Sequence, residues 1–304
     1  MKFVTKNLPA VGVLLLVSLA NGYAADMPMK AARVVQPSPI LGWVSPILAT
    51  NNQISLDVIG QNIDYLEYGN GRQTAPGPLD TERGWQPGLQ LTGSMMRDLG
   101  PITNVYLMGQ FTWAKGDNHY VGGGYIPGTS VTFPYGYFNN TSGAETRDFD
   151  FRLGKGFDVG QNWMFTPYFG IGYRVWDRYA VDNHETYEHG YTGGGLLIQW
   201  APTNQWVISA NGLVGSTFDP QMTASNANYF TFTLGSKLMW KAGLSTDYAL
   251  TPQWHLNAGF DYTHFNYGIS NTSPNSLLEP DSRSGIWTVK AGVGYSFYQP
   301  SARY

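Results

Sequence analysis

The chain has 304 residues, with 10 Trp, 20 Tyr, 15 Phe and 37 Gly, but only 13% charged residues and no Cys. The absence of Cys excludes disulfides, thiolate catalysis and thiolate metal sites, and a net charge of -3 argues against nucleic acid as a partner. Low charge with many aromatics suits a wall that faces lipid.

Residues 1–24 read as a secretory signal. Lys2 and Lys6 form the charged start, Leu8–Ala20 is apolar but too short to span as a helix, and Gly22-Tyr23-Ala24 offers small residues for cleavage before Ala25. Residues 25–51 hold four Pro and no stable period. They read as a Pro-rich periplasmic segment that could tuck into a barrel mouth.

From residue 52 to 297 the chain alternates with period two, so each segment is a strand with one apolar and one polar face. The apolar columns, expected to face outward, begin with Ile54, Leu56 and Val58. Near Gly60 the phase slips to Ile63 and Tyr65, which predicts a bulge. The columns continue with Trp85 to Met95, Val105 to Trp113, Phe149 to Phe157, Trp163 to Val175, Leu196 to Trp200 and Trp206 to Val214. One long strand is expected over Phe230 to Tyr248, then Trp254 to Tyr262, and last Trp287 to Phe297. Its length predicts strands that project beyond the membrane as a collar.

Short turns at Leu99–Thr103, Val159–Asn162, Ala201–Gln205 and Leu250–Gln253 alternate with long polar loops at Gly69–Gly84, Lys115–Glu145, Arg178–Gly190, Thr217–Asn228 and Gly268–Ser284. That alternation predicts an all-β, up-and-down antiparallel transmembrane β-barrel of about ten strands, with eight or twelve as alternatives. The repeated Gln161-Asn-Trp163, Asn204-Gln-Trp206 and Pro252-Gln-Trp254 place a Trp just after a short turn. Trp163, Trp206, Trp254, Trp287 and Phe297 are thus the expected interface aromatics. Residues 298–304 form a short tail.

The tail Lys290-Ala-Gly292-Val-Gly-Tyr295-Ser-Phe297 resembles the last-strand signal of small bacterial outer-membrane barrels, of the OmpA-like and rhizobial type. The opening Met27-Pro-Met-Lys-Ala-Ala32 is similar to the start of mature rhizobial members. The resemblance implies the outer membrane of a Gram-negative cell, contact with its lipid and lipopolysaccharide, and insertion by the barrel-assembly machinery through Lys290–Phe297.

The inward columns carry Asp57, Arg152, Arg174, Lys237, Lys241, Asp247, His255, Asp261 and Lys290. In so narrow a barrel these pair within a filled lumen, or they line a narrow pore. A second resemblance is to the omptin surface proteases, whose site is an Asp-x-Asp pair facing an Asp-x-His pair. Asp148-x-Asp150 and Asp182-x-His184 match the spacing, but they sit on adjacent loops where the family uses opposite walls. Asp117-Asn-His119 and His184-Glu185…Glu188-His189 lack a fixed metal-ligand spacing, so no metal or cofactor is expected. The aromatic loop from Gly122 to Phe138 is either a lid or a contact for a glycan or surface partner within loop 115–145. The favoured reading is a non-enzymatic barrel for envelope structure or narrow solute passage. A surface-binding module and an omptin-type hydrolase are the alternatives.

Overall fold

A computed structural model describes residues 45–69, 77–125, 132–160, 162–180, 183–274 and 277–298. The signal-sequence and cleavage expectations, Asp182 and residues 299–304 lie outside the described residues. The wall is built from β1 (Gln53–Gly69), β2 (Gly77–Leu99), β3 (Ile102–Tyr125), β4 (Thr132–Lys155), β5 (Phe157–Val159), β6 (Trp163–Ala180), β7 (Asn183–Trp200), β8 (Trp206–Ala224), β9 (Phe230–Thr233), β10 (Leu238–Ala249), β11 (Trp254–Tyr267) and β12 (Ser282–Ser296). All neighbours are antiparallel, and β12 pairs with β1 from Gln53↔Ser296 to Glu67↔Ser282, which closes the ring. Closure leaves no free edge in the wall. Ten staves form the barrel; β5 extends β4 against β6, and β9 folds back on β8.

The outer face of the lower wall is an apolar belt. Val58, Phe149, Phe169, Val214 and Val293 are each about half exposed or more, a cost in water and a gain in lipid. Its edges carry aromatic pairs across neighbouring strands. Trp163 stacks on Trp200 at 5.6 Å, Trp206 meets Tyr248 at 5.6 Å and Trp254 meets Tyr295 at 5.3 Å on the short-turn side. On the long-loop side Tyr262 lies 4.4 Å from Trp287 and 5.1 Å from Trp240. Phe297 is half-buried just past β12, with its N–H donated to Asn52 O. Tight turns on the short side use residues that tolerate positive φ, such as Gly100 at +58°.

Above the belt the strands continue, and the pattern turns inside out. In β1 the outward residues become Asn62 and Asp64, while Ile63 and Tyr65 are buried inside. The predicted bulge at Gly60 is therefore corrected. The register with β2 and β12 runs through Gly60 unbroken, and the first shift comes between Leu66 and Tyr68. The apparent slip arose because apolar side chains change sides where lipid gives way to water.

The expected single strand over Phe230–Tyr248 is also corrected. β9 and β10 are separate, and Gly235 bridges Gly268 in the gap between them. Phe232 and Leu234 are buried inside, because β9 packs its chain against the upper end of β8. The β3–β4 connection is mostly a projecting hairpin rather than a loop, with Lys115 paired to Glu145 and Gly122 to Phe138.

Candidate functional site

The barrel interior is layered. At the short-turn mouth, Ser45 caps a helix α1 (Pro46–Thr50): its hydroxyl accepts from Leu48 N at 3.4 Å, and Pro46 starts the helix where no N–H is needed. Ile47 is buried among the inward Met96, Tyr106, Met108, Met164, Tyr168 and Leu213, and Ala49 is buried too. Hydrogen bonds pin the segment to several staves. Asn51 Nδ2 donates to Gln199 Oε1 on β7 at 2.6 Å, and Asn52 Nδ2 donates to Met96 O on β2 at 3.0 Å. Thr50 Oγ1 donates to Asp247 Oδ1 on β10 at 3.0 Å. The helix is thus a plug.

The middle layer is polar, with a cavity of about 190 Å³. Arg152, Arg174, Lys241, Asp261 and Lys290 line it. Here the charges pair along one strand, between neighbouring strands and, at Lys241, across the lumen. Lys241 Nζ of β10 lies 3.1 Å from Asp150 Oδ2 of β4, and Arg152 Nε lies 3.0 Å from Asp150 Oδ1. Arg174 reaches Asp148 at 3.6 Å, and Lys290 reaches Asp261 at 2.7 Å. Glycines make room for the ring that joins them. A Cβ at Gly172 would fall 2.1 Å from the Tyr191 ring, whose hydroxyl donates to Asp148 Oδ1 at 3.1 Å. Asp247 sits lower, 2.6 Å from His255 Nδ1 and accepting from Gln53 Nε2 at 3.1 Å. Lys237 is the exception and corrects the expected lumen set. It is exposed in the gap before β10, against Gly268, because the break there removes it from the inward column.

The top layer closes the long-loop mouth. Arg178 of β6 is buried between four carboxyls. Glu67 lies 3.3 Å away, Asp80 3.7 Å, Glu82 2.5 Å and Glu185 2.6 Å. Tyr65 of β1 meets Trp176 at 5.0 Å and Tyr187 of β7 at 6.0 Å. β1 and β7 are opposite staves of the ring, so these rings span the mouth. The connection after β11 adds Glu279, which accepts from Tyr187 Oη at 2.6 Å. Burial pushes the carboxyls of Asp80, Glu185 and Glu279 above their ordinary range, and Arg178 opposes the rise at all three. Burial likewise holds the Tyr65 and Tyr187 hydroxyls protonated.

The sequence named Tyr65 only at a phase slip and Glu185 only in a weak metal motif, and placed none of these residues at the mouth. Glu82, Glu185 and Glu279 fell in segments read as loops. The available signal was alternation continued past the belt: Tyr65 and Glu67 keep the inward parity of Ser55 and Asp57.

The candidate catalytic residues do not converge. Asp148 registers with Arg174 and His184 with Tyr179, five residues further along β6. At about 3.3 Å per residue that is roughly 17 Å of strand. Asp148 and Asp150 face inward and are held by bases, whereas His184 is partly exposed, stacked on Tyr179 at 4.4 Å. His119 lies beside Asn139 on the outer face, and His189 lies inside against Tyr267. Among the described residues, no group of three or more His, Asp or Glu is arranged to hold a metal ion.

No protein-family model matches the sequence, and no curated protein matches it. Several solved structures align with it. The outer-membrane protease OmpT from Escherichia coli aligns over 82% of this chain and 98% of its own, at 10% identity and a TM-score of 0.50. The translocator domain of the autotransporter NalP from Neisseria meningitidis aligns over 81% and 88%, at 15% identity and a TM-score of 0.40. OprG from Pseudomonas aeruginosa aligns over 82% and 99%, at 12% identity and a TM-score of 0.31. The OmpT likeness, at so low an identity, is one of fold alone. The chain is a closed, antiparallel ten-stave β-barrel by fold, and its activity follows only from its own residues.

Proposed function

We propose that this protein is a sealed, non-enzymatic outer-membrane barrel whose working surface is its extracellular collar. One observation carries the reading: both mouths are filled, by the Pro46–Thr50 helix below and by the Tyr65–Arg178–Tyr187 layer above. In the middle layer the Lys241–Asp150 pair also crosses the lumen, between staves four apart in the ring. A solute path would have to break all three layers. A structural or surface-binding role needs no path. The partners this reading requires are outer-membrane lipid and lipopolysaccharide around the belt, the assembly machinery at Lys290–Phe297, and a surface ligand at the collar that includes loop 115–145.

An omptin-type peptidase is the competing reading, because of the OmpT fold. The separation of His184 from Asp148 and Asp150 weighs against it.

Single-channel recording of the refolded, full-length barrel in a planar bilayer tests the proposal. Folded protein should insert without conductance steps. Discrete, stable steps from the wild-type barrel would overturn the sealed reading. Cleavage of a peptide panel that is lost in His184→Ala would overturn the non-enzymatic one.

A further inference from the structure

At the tip of the collar, β4, β6, β7 and the turn between β8 and β9 enclose an open groove of about 670 Å³. That size lies within the ~300–1,000 Å³ typical of ligand clefts. Three rings line it: Tyr229, and Tyr179 with His184 stacked flat on one of its faces at 4.4 Å. Asn140, Asn183, Thr141 and Ser225 supply amides and hydroxyls. Among the described residues no Asp, Glu, Lys or Arg lines the groove, and His184 is its one titratable base.

Tyr229 needs an explanation beyond packing. It is 72% exposed, and its φ is +60°, directly after Asn228 at +54°. A bulky side chain in the left-handed region is costly, and such strain gathers at binding sites. The floor is rigid by contrast. Ser225 Oγ donates to Asn183 Oδ1 at 2.8 Å and accepts from His184 N at 2.8 Å. Asn183 Nδ2 donates to Glu185 Oε1 at 2.6 Å, which ties the floor to the Arg178 layer. The Asn140, Thr141 and Tyr229 side chains make no hydrogen bond among the described residues, so their polar atoms are open to a ligand.

We infer that this groove binds a neutral saccharide, a reading that rests on the surface role proposed above. Apolar C–H faces of sugar rings lie on flat aromatic faces, and sugar hydroxyls exchange hydrogen bonds with amides that can both donate and accept. With His184 as the one lining base and no Arg or Lys among the described lining residues, the groove is poorly suited to sulfated or uronic chains, which need Arg or Lys.

The full-length refolded barrel should be titrated calorimetrically with maltohexaose, cellohexaose, chitohexaose and mannohexaose, and with a heparin oligosaccharide and polygalacturonate as anionic probes. At least one neutral oligosaccharide should bind with a dissociation constant of about 1 mM or tighter. Tyr229→Gly should weaken that binding about tenfold; glycine suits the same φ, so the backbone is spared. Tyr229→Phe should retain most of the affinity, and Asn140→Ala should lose part of it. Binding of anionic probes alone, binding unaffected by Tyr229→Gly, or no binding of any neutral oligosaccharide would overturn the inference. A barrel silent in bilayers that ignores neutral sugars loses this ligand class but keeps its surface role. A barrel that conducts loses the surface role itself.

Discussion

The lower and upper halves of β1 carry the same kinds of side chain to opposite sides of the wall. Ile54, Leu56 and Val58 face out, and Ser55 and Asp57 face in. Higher up, Asn62 and Asp64 face out while Ile63 and Tyr65 are buried within. The backbone period is the same in both halves; only the solvent differs. In the belt, lipid takes the apolar face and the interior must satisfy polar groups by pairing, as Lys241 and Arg152 do with Asp150. In the collar, water takes the outer face and the interior becomes a core like that of a soluble barrel, with a buried ionic cluster at its centre. One strand therefore obeys two opposite rules, and the sealing of the upper mouth follows from the second.

Arg178 gives the largest expected contrast. Arg178→Met removes the base that holds a buried group of acids, and breaking such a network costs about 3–5 kcal/mol. Hydrogen exchange should show lost protection in the upper halves of β1, β6 and β7, with the belt unchanged. Equal loss in both halves would erase the distinction between them.

A charge on the lipid face comes next. Val58→Lys should destabilise by roughly 2–4 kcal/mol, and Asn62→Lys, on the same face of the same strand, by roughly 0–1 kcal/mol. Urea titration of refolding into vesicles measures both. Similar costs would mean that the belt does not end between these residues.

Acidity should act on the collar. The folded values of Asp80, Glu185 and Glu279 lie above the ordinary 3.8 and 4.5. Their contribution to stability is full below those ordinary values and is lost as pH rises through the folded ones. Protection factors at β1 and β7 should therefore be higher at about pH 5 than at about pH 8. An increase with pH would reverse the assignment. The smallest effect is at the tip: Tyr229→Gly should raise collar stability by about 1 kcal/mol through relief of the positive φ, read as a modest gain in local protection.

The belt was legible in the sequence because a lipid-facing column is predominantly apolar and ends in aromatics, as from Trp287 to Tyr295. The collar was not, for a physical reason. Ile63 and Tyr65 look like a change of phase only if the outer face is assumed apolar throughout. The same assumption sent Phe232 and Leu234 outward and Lys237 inward. Glu67, Glu82 and Glu185 carry charge, and charge between apolar columns reads as loop. Nothing local says that Arg178 will gather them, since the partners come from strands far apart in sequence. The plug was legible only as a segment suited to the mouth, because five helical residues flanked by Pro have no period to detect.

The absence of Cys makes the central claim directly measurable. Single cysteines stepped through β1 from Ile54 to Glu67, each spin-labelled, should be read for collision with oxygen and with a water-soluble nickel chelate. The account predicts oxygen access at Ile54, Leu56 and Val58, nickel access at Asn62 and Asp64, and access to neither at Ile63 and Tyr65. Oxygen access that shifts to Ile63 and Tyr65 would restore a bulge at Gly60 and contradict the inversion.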